Sequence, residues 1–162
     1  MSEQLEFRPV SIDWEGPFLF AEACKKFGEH DAGLYQIYGH HPVFGFDALY
    51  YVGMTEWDRF GSRLASHWEE WGQWLSDATV RLGYLNDAYY RHDDDWKEWA
   101  ELLKHAEALT IYLHSPPGNS ESIGAYTGPP LVVYNWRQRG SLLMQYASHW
   151  QTGYPNGEWK RL

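Results

Sequence analysis

The period of the apolar positions changes repeatedly along the chain, and each change predicts an element. The start, to about Gly16, shows no regular period and reads as irregular. FLFAEACKKFGEH (18–30) spaces its apolar residues as a helix does, and Gly28 suits the helix end. GLYQIY (33–38) and ALYYVG (48–53) read as strands, and GHHPVFGFD between them holds turn formers, so a hairpin with a long loop is expected. In WDRFGSRLASHWEEWGQWL (57–75), Leu64, His67, Trp68, Trp71 and Leu75 recur at helical spacing, with Asp58 as a cap. ATVRLGYL (78–85) alternates as a strand, and NDAYYRHDDD is a polar loop. DWKEWAELLKHAEALTIYLHS (95–115) is the clearest helix, stopped by SPPG. NSESIGAYTGPP is a loop, LVVYNW a strand, and GSLLMQYASHW (140–150) a last helix. Together these predict one α+β domain over 1–162, its sheet built on an antiparallel hairpin.

Composition narrows the class. The chain has 162 residues, 44% hydrophobic and 18% aromatic, which excludes disorder and suits a packed core. Cys24 is the one cysteine, so no disulfide forms within the chain and a reducing, cytoplasmic setting is expected. MSEQLEFRPV lacks the apolar segment of a signal peptide, and no apolar run approaches a membrane span. The net charge of −9 argues against a general nucleic-acid binder. A basic surplus remains at the C-terminal end, where Arg137, Arg139, Lys160 and Arg161 stand against Glu158.

Several residues recur in an order that points to chemistry. GLY (33–35) and YVG (51–53) set Tyr35 and Tyr51 on the two arms of the hairpin. SRLASHW sets Arg63 and His67 one helical turn apart, on one face. EALTIYLHSPPGN sets Glu107 on a helix and Asn119 after Pro116 and Pro117. This pattern resembles the GIY-YIG nuclease superfamily, over residues 33–119. That superfamily includes intron-homing endonucleases, some restriction enzymes and the incision nuclease of bacterial excision repair. The resemblance implies a small three-stranded antiparallel sheet flanked by helices, over about 31–120, to which this chain is expected to add an N-terminal helix and a C-terminal extension at 121–162. The interval from Tyr35 to Tyr51 is longer than is common there, so the hairpin loop is extended. Arg63 also lies further beyond Gly53 than usual, which leaves Arg59 as a rival for its role. Arg63 is preferred for its RL pair and for His67 one turn on.

The same residues make chemical sense without the family. Cutting a phosphodiester requires an activated water, a cation for the charge on phosphorus, and help for the leaving oxygen. Glu107 can hold Mg²⁺ or Mn²⁺ that keeps most of its waters. Arg63 can fork onto a phosphate. Tyr35 or Tyr51 can orient or deprotonate water, and His67 is the partner a phenol with pKa of about 10 needs. The resemblance implies that Asn119 holds the site together, although an Asn after Pro-Gly is ordinarily a turn residue. Gly53, Thr55 and Arg59 are read as substrate-binding. Tyr38 and Tyr50 are read as structural, His40 and His41 as solvated, and Asp93, Asp94 and Asp95 as a solvated charge run.

The expected function is that of a metal-dependent DNA endonuclease, concerned with restriction, a mobile element or repair. The alternative is an inactive module of the same fold that binds nucleic acid or protein within a complex. DNA is the expected partner, a homodimer or larger complex is compatible with the low basic content, and no membrane is involved.

Overall fold

The computed structural model describes residues 7–25, 33–56, 60–86 and 96–148. Its strands are β1 (Arg8–Leu19), β2 (Gly33–His41), β3 (Gly45–Thr55), β4 (Thr79–Leu85), β5 (Leu131–Arg137) and β6 (Gln145–Ala147). The α-helices among the described residues are α1 (Phe20–Ala23), α2 (Phe60–Glu70) and α3 (Trp96–His114), and a 3₁₀ turn at Gly72–Trp74 follows α2. No helix among the described residues is long and apolar enough to cross a membrane.

All six strands join one mixed sheet in the order β3-β2-β4-β1-β5-β6. β2 pairs antiparallel with both β3 and β4, β1 is antiparallel to β4, and β1 runs parallel to β5. The expected sheet was three-stranded and antiparallel, so the observed one is larger and mixed. Two strands read otherwise from the sequence account for much of the difference. Residues 8–19, taken as irregular and then helical, form β1, which bulges between Glu15 and Phe18 at Gly16 (φ +119). The expected N-terminal helix is reduced to the four residues of α1, and 26–30 lie outside the described residues. Over 140–148 the expected last helix is instead a turn leading to β6, because Gly140 sits at φ +61 and Tyr146 pairs with Val133, and 149–150 lie outside the described residues.

Each face of the sheet has its own core. On one, Val10, Ile12, Trp14, Leu34, Leu131, Val133 and Tyr146 pack against Leu102, Leu103, Ala106 and Leu109 of α3. On the other, Tyr35, Ile37, Val80 and Leu82 pack against Phe20 of α1 and Phe60 and Leu64 of α2. Burial of each such aliphatic or aromatic side chain contributes roughly 1.5–3 kcal/mol. β2 lies between two strands and under both cores, so Gly33–Gly39 is buried without alternation. β3 is an edge strand, and it is there that α2 and α3 bring their polar residues.

Candidate active site

An edge strand exposes a row of unpaired backbone groups, and four of those on β3 are capped from α3 and the loop after it. The Gly118 N–H donates to Tyr50 O at 2.8 Å. Asn119 Nδ2 donates to Val52 O at 2.8 Å while its Oδ1 accepts the Val52 N–H at 3.0 Å. The Met54 N–H donates to the Glu107 carboxylate. The Pro-Pro stop after α3 thus turns Gly118 and Asn119 back onto the strand edge, and Asn119 acts as a clamp. Both Asn119 and Glu107 are held to the strand that bears Tyr51.

Tyr35 and Tyr51 lie side by side on β2 and β3, their rings stacked at 24° with centroids 6.1 Å apart. Gly53 faces Tyr35 across the ladder. A Cβ at Gly53 would stand 2.4 Å from Tyr35 Oη and 2.8 Å from Tyr51 Cε1, so the missing side chain is the space both phenols occupy. From α2, His67 Nε2 lies 2.8 Å from Tyr35 Oη. The proton of that bond sits on Tyr35 when His67 is protonated at Nδ1, and on His67 Nε2 otherwise. Arg63, one turn earlier and exposed, hydrogen-bonds the Tyr35 hydroxyl, and the two tyrosine hydroxyls are hydrogen-bonded to each other. Trp71, one turn later, covers His67 at 5.2 Å and Tyr51 at 5.6 Å between ring centroids.

The electrostatics divide these groups by task. Burial, and then the neighbouring Tyr51, push Tyr35 well above the ordinary phenol range, against the pull of Arg63. Burial and the charge of Glu107 raise Tyr51 as well. Burial and Arg63 lower His67, so the imidazole is neutral at neutral pH and ready to take a proton. Its Nδ1 is buried with no partner among the described residues. Glu107 is half-buried and pushed up to about 7 by burial, with Arg63 and the Met54 N–H opposing and Glu121 and Glu56 adding to the rise.

A divalent cation is the group the resemblance implies. Among the described residues no three His, Cys, Asp or Glu side chains stand close enough to enclose one. Glu107 is nevertheless suited to hold a hard cation in a largely hydrated form. It offers oxygen ligands, and its ionised form is opposed by burial and by the like charges of Glu121 and Glu56.

Tyr35, Tyr51, Arg63, His67 and Glu107 therefore meet at the β3 edge, with Gly53 beneath them and Asn119 behind. Thr55 is buried opposite Gly33 at the end of β3. Arg59 lies outside the described residues, as do Asp58 and Asp93–Asp95. Trp71, Tyr50, Glu56 and Glu121 join the surroundings without having been expected. Trp71 was legible as the residue one turn beyond His67. Tyr50 was not, because β3 slips register between the partners of Ile37 and Tyr38. The bulge turns Tyr50 to the same face as Tyr51, and both rings meet Trp71. Comparison of the chain with protein-family models, with curated proteins and with solved structures finds no match.

Proposed function

We propose that the chain is a divalent-cation-dependent endonuclease of the GIY-YIG type that hydrolyses phosphodiester bonds in DNA. The observation that carries this reading is the meeting of Tyr35, Tyr51, Arg63, His67 and Glu107, from four separate elements, at one strand edge. The antiparallel β3-β2-β4 part of the sheet is then its three-stranded core, and a cytoplasmic location belongs to the same reading.

Each group has a task suited to its state. Arg63 reaches solvent and offers a fork of donors to a phosphate oxygen. Tyr35 and Tyr51, held as neutral phenols, orient the attacking water and pass its proton. His67, kept neutral by burial, receives that proton. Glu107 is the residue that would hold Mg²⁺ or Mn²⁺, which when bound supplies positive charge to the phosphate and the leaving oxygen. Asn119 keeps the strand edge in place beneath them.

The test is incubation of supercoiled plasmid with the protein and Mg²⁺ or Mn²⁺, beside Glu107→Ala. Nicked or linear products from the native chain that vanish in the variant are the expected result. Absence of cleavage on plasmid and on a panel of branched and single-stranded DNAs would leave the inactive binding module.

A further inference from the structure

We infer that the tip of the β2–β3 hairpin is a base-stacking platform, and that the substrate is DNA with unpaired bases beside the scissile phosphate. The inference rests on the nuclease reading and adds the substrate class to it. Three large apolar side chains at the tip are mostly in solvent: Val43 (79% exposed), Phe44 (64%) and Phe46 (82%). Lying within four residues of one another, they form a cluster, which single exposed residues do not.

The tip is built rather than loose. His41 Nδ1 accepts the N–H of Val43 at 3.1 Å and of Phe44 at 3.3 Å, which fixes the turn. The His41 ring lies on Phe44 at 4.8 Å and the His40 ring against Phe46 at 4.5 Å. From there the aromatic rings continue inward. His41 neighbours Tyr50 at 6.4 Å, Tyr50 neighbours Trp71 at 5.2 Å, and Trp71 borders both Tyr51 and His67. An unbroken series of rings thus joins the exposed tip to the tyrosines of the candidate site. The β3 bulge at Tyr50 is what closes that series.

Charge selects the occupant. Duplex DNA is gripped chiefly through phosphates neutralised by Lys and Arg, and this chain carries a net −9. A single strand carries phosphates too, but its unpaired bases add stacking on aromatic rings that a closed duplex withholds. An acidic protein with an exposed aromatic tip therefore suits single-stranded, gapped or flapped DNA better than plain duplex.

The test uses the full chain bearing Glu107→Gln, so that binding is read without cleavage. Oligonucleotides labelled with 2-aminopurine are presented as duplex, single strand and gapped duplex. Single-stranded and gapped DNA are expected to bind at least about tenfold tighter than duplex, with a change in 2-aminopurine emission. Adding Phe44→Ala and Phe46→Ala is expected to weaken that binding about tenfold or more and to abolish the emission change. Both side chains are exposed, so circular dichroism and Tm should be unchanged. Equal affinity for all three DNAs, no binding to any, or unaltered binding by the double variant would overturn the inference. A dimer that dissociates in the double variant, by sedimentation, would instead assign the tip to a second copy and also overturn it. The nuclease reading fails separately: stacking by Glu107→Gln protein with no cleavage by the native chain rejects the nuclease and keeps the platform. Cleavage of plain duplex at the native rate by Phe44→Ala/Phe46→Ala does the reverse.

Discussion

Two of the polar clusters buried among the described residues, one under α3 and one at the β3 edge, differ in how completely they are satisfied. Under α3, Trp14 Nε1–H donates to Asn135 Oδ1 at 2.8 Å and Asn135 Nδ2 donates to Leu143 O at 2.9 Å. Thr110 donates to Ala106 O, so Tyr146 donates to Thr110 Oγ1, each at 2.6 Å. None of these four residues has a buried polar atom left without a partner. At the β3 edge, by contrast, His67 Nδ1 has none, Glu107 is pushed up to about 7, and Tyr35 is driven well above the phenol range. The first cluster is what a fold needs in order to bury polar groups cheaply. The second costs stability, and costs of that kind concentrate at functional sites.

That contrast can be broken by mutation. Glu107→Gln keeps an acceptor for the Met54 N–H while removing the charge, and should lower metal-dependent cleavage about 10²- to 10³-fold without lowering Tm. Gly53→Ala places a Cβ 2.4 Å from Tyr35 Oη, inside contact distance, and should cost about 10²-fold in kcat by displacing both phenols. Asn135→Ala leaves the buried Trp14 N–H unpaired, costing about 1–3 kcal/mol, or about 3–10 °C in Tm by calorimetry.

The smallest effect expected is on the pH dependence of stability. Glu107 is raised in the fold, so its contribution is complete below the ordinary carboxylate value of about 4.3 and is lost as pH rises through about 7. His67 is lowered, so its contribution is present above about 6.5 and is lost as pH falls through its folded value. The two trends oppose each other in weak acid. The Tm of Glu107→Gln minus that of the native chain should therefore grow from pH 5 to pH 8, and Mn²⁺ at pH 8 should raise Tm in the native chain alone.

What was legible in the sequence was local. Period and punctuation located β2, β3, α2, β4, α3 and β5 to within a few residues, because each buries a face of regular spacing. β1 was missed although Val10, Ile12 and Trp14 alternate, since Pro9, Gly16 and Pro17 argue against a strand and the bulge that accommodates them is not visible in sequence. Strict alternation turned Tyr50 away from Tyr51, and a bulge reversed it. The clamp by Asn119 and the approach of Glu121 to Glu107 are long-range consequences of the chain returning after α3, and that of Glu56 of α3 packing along β3, none of which a local period encodes.

The central claim is that the β3-edge cluster performs chemistry and the cluster under α3 maintains the fold. It is tested most directly by measuring cleavage rate, on plasmid and on gapped DNA, and Tm together in Glu107→Gln and Asn135→Ala. The account predicts that Glu107→Gln retains its Tm and loses cleavage, while Asn135→Ala loses Tm and still cleaves well below its melting temperature. A Glu107→Gln protein that melts early yet cleaves at the native rate would contradict it.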